Sequence, residues 1–151
     1  MHRIVIVSLG ATLAIGGAAL FASCTEDSNE DGTSAVISGI SFLDGAGFHG
    51  IDESINDSGD IPASAATTAR HAQAVTNLTD WPDEFDDDAE ALETVFANLA
   101  TELEKDEPDI EAAGELAAQA HDGLHDFSHS IWNHLQSEAG IQVPEESEDH
   151  N

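Results

Sequence analysis

Histidine is the residue type in this chain whose spacing is most informative about chemistry, because eight occur among only 151 residues. His121, His125 and His129 follow one another at four-residue steps, so on a helix they would lie along one ridge. His121 and His125 form an H-x-x-x-H pair, which can chelate one cation from a single helix. The spacing therefore predicts that this pair is the primary chelate of a metal site.

Two further histidines lie in segments that are predicted to be helical. His71 falls at a position predicted to face the core, from which it could supply a ligand across the bundle. His49 is followed by Asp52 and Glu53, three and four residues later, so one ion at a helix surface could reach all three. Helical bundles build metal sites from such groups on facing helices. The predicted ligands are His49, Asp52, Glu53, His71, His121 and His125.

The available donors are nitrogen and oxygen, which suit Zn(II), Cu(II), Ni(II) or iron. Cu(I) is disfavoured because the only methionine is the first residue, and one cysteine cannot form a thiolate cage. No haem is expected, since the chain has no C-x-x-C-H motif and few aromatic residues. A structural interpretation stays open: His71 could be a buried residue bonded to Asp52 or Glu53, and the ridge from His121 could be solvated and respond to pH.

Four segments carry apolar residues at helical spacing, at about 34–56, 61–78, 81–103 and 109–138. Glycines weaken the first segment, which is predicted to break near Gly45 to Gly47. Short connections between helices of this length imply antiparallel neighbours. The predicted fold is all-α, a single up-down antiparallel four-helix bundle over residues 34–140.

The residues predicted to face the core follow from the same periodicity. In the first segment they are Ile37, Ile40, Leu43, Phe48, Ile51 and Ile55. In the second they are Thr68, His71, Ala72, Val75 and Leu78. In the third they are Phe85, Ala89, Leu92, Val95, Phe96, Leu99 and Leu103. In the fourth they are Ile110, Ala113, Ala117, Ala120, Leu124, Phe127, Ile131 and Leu135.

The N-terminal segment has a basic start, an apolar run and small residues before Cys24, as in an export signal. The stretch from Leu20 to Cys24 resembles a bacterial lipobox, which implies cleavage of residues 1–23 and a lipid on Cys24. An uncleaved membrane anchor is the alternative. The expected location is the outer face of the cell membrane or the periplasm, with residues 24–33 as an acidic flexible tether and 141–151 as a disordered acidic tail.

The charge is extreme, with 31 acidic residues against 3 basic ones and a formal net charge of −28. Such a chain would repel a phosphate backbone, so nucleic-acid binding is not expected. A compact state with this charge needs screening, either from a high-salt medium or from a polyvalent cation or basic partner. Salt adaptation and a functional acidic surface, including one for an envelope or metal-transport protein, are both consistent with the composition.

The string from Gly47 to Asp52, GFHGID, resembles the G-x-H-x-x-E signature of the imelysin-like proteins, which include helical, exported lipoproteins linked to iron acquisition. The resemblance implies a metal site at His49 and Asp52. The sequence departs from the signature by having Asp in place of Glu, with Glu53 one position later, and by having the length of one bundle rather than two.

Taken together, the sequence predicts an exported, lipid-anchored helical bundle that binds a transition-metal ion without catalysis, for scavenging, delivery or sensing. The alternative is an acidic envelope lipoprotein that acts as a structural or protein-interaction module and binds no metal. A metallohydrolase would need an open metal position and Glu53 as base. No phosphate loop or nucleophile elbow appears in the sequence, so an enzyme is not expected.

Overall fold

The computed structural model describes residues 28–141, and every regular element in that range is helical. The α-helices are α1 (Ser28–Asp44), α2 (Phe48–Ser58), α3 (Ala65–Leu78), α4 (Asp86–Leu103) and α5 (Ile110–Glu138), and one 3-10 turn (Asp83–Phe85) leads into α4. The all-α prediction is thus confirmed. Among these helices none has the length and apolar character needed to cross a membrane. The predicted signal peptide, Cys24 and the tail from residue 142 lie outside the described residues.

The first predicted helix is broken where its glycines indicated. Gly47 adopts a left-handed backbone conformation with φ of 82° and separates α1 from α2. Gly59, with φ of 70°, ends α2, and its N–H donates to the Ile55 carbonyl at 3.0 Å. The start of the helix was predicted too late, because α1 begins at Ser28 and residues 28–33 of the expected tether are helical.

The core was predicted best on the two longest helices. All the residues predicted to face inward from α4 itself are buried except Val95, which is half-buried. On α5 the stripe from Ala113 to Ile131 is buried as predicted, whereas Ile110 is 41% exposed. Phe96 stacks on Phe48 with ring centroids 4.7 Å apart, which joins α2 to α4 across the interior.

The predicted buried face of α3 is only partly right. Leu78 is 82% exposed and His71 is exposed, so His71 does not face the core. Ala72 is buried as predicted, and Thr68 and Val75 are half-buried. The other buried residues are Ala65, Ala69 and Thr76. Small side chains at these positions allow α3 to lie close to α4, and this close packing outweighs the burial of a larger residue at the helix end. The buried face of α1 also differs from the prediction by a rotation about the helix axis, because Val36 is buried and Ile37 is exposed.

The contacts of α5 show that it runs antiparallel to α1 and α2. Near its C-terminal end, Trp132 donates from Nε1 to Asp44 Oδ2 at 2.9 Å. Near its N-terminal end, the Gly114 carbonyl accepts from Asn56 Nδ2 at 3.0 Å. Later residues of α1 and α2 thus contact earlier residues of α5, as expected for antiparallel helices. This arrangement places the histidines in the middle of α5 beside α2.

The helices α3 and α4 also pair antiparallel, through polar bridges along their exposed edge. Arg70 donates to both carboxylate oxygens of Glu104, at 2.9 and 2.6 Å, and Asn77 donates to Glu93 at 3.1 Å. The hydrogen bond between Arg70 and Glu104 is the main reason that the pKa of Glu104 lies below its ordinary value and that of Arg70 above its own. This pair links the N-terminal half of α3 to the C-cap residue of α4.

The turn between α4 and α5 is organised by a buried carboxylate. Glu102 accepts hydrogen bonds from the Lys105 ammonium and from the Asp109 backbone N–H, the latter at 2.9 Å. These bonds, led by the one from Lys105, lower the pKa of Glu102. Asp109 in turn caps α5 by accepting from the N–H groups of Glu111 and Ala112. The start of α5, and with it the register of its histidines, is therefore fixed locally.

Candidate functional site

Five of the six predicted ligands lie together where α2 packs against α5. We call these residues the α2–α5 cluster; its members are His49, Asp52, Glu53, His121 and His125. The interface beneath them is apolar and includes Ile51 on α2 and Ala120 on α5, both buried. Asp52 and His121 each follow one of these buried residues directly, so both lie at the edge of the interface and reach solvent.

His121 and Asp52 form the most enclosed pair of the cluster. His121 Nδ1 lies 3.1 Å from Asp52 Oδ2, and the two side chains are only 30% and 20% exposed. An ionised carboxylate can only accept, so this hydrogen bond requires a proton on Nδ1. In neutral His121 the free lone pair is then on Nε2. A carboxylate bonded to the far ring nitrogen is the usual partner of a metal-ligating histidine.

His49 lies beside His121 and has a carboxylate of its own. The two ring centroids are 4.9 Å apart with an angle of 59° between the ring planes. His49 Nε2 lies 3.3 Å from Glu53 Oε1, and these side chains are 67% and 60% exposed. This is a charge contact between neighbouring turns of α2 and does not by itself fix which ring nitrogen of His49 carries the proton. Both side chains are open to solvent and free to change rotamer.

His125 extends the cluster by one turn of α5. It is exposed, and its Nδ1 lies 3.9 Å from Asp126 Oδ1. Together with His49, His121, Asp122 and Asp126 it lines a shallow surface depression of about 520 Å³. The H-x-x-x-H pair therefore faces one concavity, as the spacing predicts, and the depression is lined only by imidazoles and carboxylates.

His71 is not part of this cluster. It is exposed on α3, which packs against α4 and α1, so the structure does not bring it together with the other predicted ligands. Its neighbour Ala72 is buried, and a side chain one position away on a helix points about 100° from it. Two other histidines have partners elsewhere: His134 contacts Glu84 at 2.8 Å, and His129 contacts Asn133 at 3.1 Å.

Within residues 28–141, no three His, Cys, Asp or Glu side chains are grouped so that they could hold a metal ion. The cluster consists of two imidazole–carboxylate pairs side by side, together with His125 at its rim. A shared ion would require rotation of the exposed members, His49, Glu53 and His125.

Sequence reasoning missed two residues that support the cluster. Asn56 Nδ2 donates to Asp52 Oδ1 at 2.7 Å and to the Gly114 carbonyl at 3.0 Å. The four-residue spacing of Asp52 and Asn56 is a local signal that could have suggested the first bond. Nothing local marks Gly114, because its importance arises from the approach of α2 to α5.

Comparison of the chain with family models, with curated proteins and with solved structures found no match in any of the three. The resemblance to the imelysin-like signature therefore depends on residues 47–52 alone. In the structure this string forms the start of α2, with Gly47 as its N-cap.

Proposed function

We propose that this protein binds a divalent transition-metal ion at the α2–α5 cluster, with His49 and His121 as the central ligands. The observation that carries the proposal is the 4.9 Å separation of the two ring centroids. With Zn–N bonds of about 2.0–2.1 Å and tetrahedral angles, two imidazoles on one ion would have centroids about 5 Å apart. The packing of α2 on α5 brings the two rings to about that spacing, and rotation of the exposed side chains of His49, Glu53 and His125 would complete the site.

The roles of the remaining residues follow from their exposure and bonding. Glu53 and His125 are exposed side chains at the rim and would complete the coordination shell. Asp52 is already bonded to His121 Nδ1 and would orient that imidazole rather than bind the ion itself. Such a site, with nitrogen and oxygen donors, suits Zn(II), Cu(II), Ni(II) or iron.

The charge of the protein supports cation capture at this position. The formal net charge of −28 attracts divalent cations from a distance, and Asp122 and Asp126 flank the depression. An exposed site that can exchange its ion is consistent with scavenging, delivery or sensing of a metal.

The proposal is tested by isothermal titration calorimetry of the purified full-length protein with Zn²⁺, Ni²⁺ or Cu²⁺. Excess Mg²⁺ is present in each titration, so that carboxylates that bind any divalent cation are already occupied. We expect saturable binding that is lost in His49→Ala and in His121→Ala. His71→Ala is the matched control, because it removes an exposed histidine of another helix, and it should leave binding unchanged. Equal binding by all three variants, or none by the wild type, would overturn the proposal and favour the acidic interaction module.

The proposal includes export and a lipid anchor on Cys24, supported by the apolar N-terminal run and the lipobox-like stretch that ends at this residue. Expression in bacteria supplied with a labelled fatty acid tests it. The label should enter the wild type and be absent from Cys24→Ser. Labelling of both forms, or of neither, would contradict a lipid on this cysteine.

We also propose the up-down antiparallel arrangement of four helices, in which α1 and α2 together form the first. Its support is the antiparallel pairing of α5 with α1 and α2, the pairing of α3 with α4, and short connections throughout. Nuclear Overhauser contacts between Phe48 and Phe96, and between Trp81 and Phe127, are expected from ring centroids 4.7 and 4.9 Å apart. Their absence would contradict the arrangement.

A further inference from the structure

Asn56 links two turns of α5 through a side chain on α2. Its Nδ2 carries two hydrogens and has two acceptors, the Gly114 carbonyl at 3.0 Å and Asp52 Oδ1 at 2.7 Å. The other oxygen of Asp52 then pairs with His121 Nδ1 at 3.1 Å. Gly114 and His121 are seven residues apart, and so lie on the same face of α5 two turns apart. This chain of three hydrogen bonds thus begins at the backbone carbonyl of Gly114 on α5 and ends at the His121 side chain of the same helix.

Gly114 is the residue that admits the Asn56 amide to this position. A β-carbon at Gly114 would overlap Asn56 Oδ1 and lie 3.1 Å from its Cγ. A side chain there would therefore force the amide to move from this position, which strains its bonds to both acceptors. The glycine is buried, although Asn56 itself is an exposed residue.

We propose that Asn56 is a positioning residue for His121, acting through Asp52. By holding Oδ1 of Asp52, Asn56 fixes the carboxylate in the rotamer whose Oδ2 accepts from Nδ1 of His121. Neutral His121 is thereby kept as the Nδ1–H tautomer, with its Nε2 lone pair available to a divalent transition metal. The effect on metal affinity rests on the proposed function, whereas the effect on the tautomer does not.

The tautomer is measured first, in the metal-free full-length protein, from long-range ¹H–¹⁵N correlations of the His121 ring at a pH where the ring is neutral. We expect the Nδ1–H form to predominate in the wild type and the Nε2–H form to gain in Asn56→Ala. Gly114→Ala keeps Asn56 in the chain but displaces its amide, so the same change is expected there. Asn77→Ala is the matched control, because Asn77 is likewise an exposed helical asparagine whose Nδ2 donates to a carboxylate, that of Glu93 at 3.1 Å. It should leave the His121 ring unchanged.

Metal affinity is measured second, by Zn²⁺ titration of the same variants. Loss of a hydrogen-bonded partner behind a ligand typically lowers affinity by about 10- to 100-fold, and we expect about tenfold in Asn56→Ala and none in Asn77→Ala. An unchanged His121 tautomer in both Asn56→Ala and Gly114→Ala would overturn the inference, even if the wild type binds Zn²⁺. A shifted tautomer in a protein that binds no Zn²⁺ would support the positioning role and refute the proposed function instead.

Discussion

Two glycines of α5 offer a direct comparison of local helix propensity with tertiary contact. At Gly123 the nearest atom to an added β-carbon is Leu92 Cδ1 at 3.4 Å, which is an ordinary contact. At Gly114 the added β-carbon meets Asn56, whose Cγ would be 3.1 Å away and whose Oδ1 would overlap it. Both positions are helical, so Gly→Ala brings the same gain in propensity to each. Any difference between the two variants therefore reports the contact with α2.

The difference in the free energy of unfolding between the two variants can be worked out from helix propensity and hydrogen bonding. Replacing a helical glycine by alanine contributes about 0.5–1 kcal/mol, so Gly123→Ala should raise the free energy of unfolding by about that amount. Gly114→Ala gains the same but loses the two hydrogen bonds of Asn56, each contributing about 0.5–1.5 kcal/mol. Because Asn56 is exposed, values near the lower end apply. We expect Gly114→Ala to be less stable than Gly123→Ala by about 1–2 kcal/mol.

Urea unfolding followed by circular dichroism at 222 nm measures both variants against the wild type. Equal slopes with shifted midpoints would show that the change is in stability rather than in the unfolded state. The reasoning would be refuted if the two variants were stabilised equally, since the Asn56 amide would then contribute nothing to the packing of α2 on α5.

Three further predictions concern charge and core. Arg70 lowers the pKa of Glu104, so their ion pair stabilises the fold fully above the ordinary Glu value of 4.5, and this stabilisation is lost as the pH falls through the lower pKa of the folded state. Arg70→Gln should therefore lose less stability than the wild type on acidification below pH 4.5. An unchanged acid profile would contradict this. Phe96→Ala should cost about 3–5 kcal/mol in urea unfolding, because the ring is fully buried and stacked on Phe48; a loss below about 1 kcal/mol would mean that this core is loosely packed. Raising NaCl from about 10 mM to about 1 M shortens the Debye length from about 30 to 3 Å and should raise Tm, since carboxylates repel one another across the surface; a constant Tm would show that this repulsion contributes little.

The α2–α5 cluster was partly predictable because its members are close in sequence. His49 with Glu53, and His121 with His125, are four residues apart, and a helix places such pairs on one face whatever surrounds it. The meeting of these two pairs was not predictable, since it depends on the register of α2 against α5. The same register places Asp52 within hydrogen-bond distance of His121, a contact that the sequence did not predict.

The errors on α3 and at His71 have one physical cause. Periodicity identifies a helix, but α3 has small and large apolar residues around much of its surface, and the pattern alone does not say which of them the neighbours will bury. Packing decided in favour of the alanines, which allow α4 to come close. The rotation of the helix that buries Ala72 is the same rotation that exposes His71.

The sequence by itself determined the helical class, the break at Gly45 to Gly47, the inward faces of α4 and α5, and the ridge of histidines on α5. These features depend on residues within about four positions of one another, where helix geometry and local hydrogen bonding act directly. Only the tertiary structure decided which face of α3 is buried, that His49 lies against His121, and that Asn56 reaches the Gly114 carbonyl. Those contacts join residues 58 or more positions apart, and they exist because small residues in the interface let whole helices approach one another.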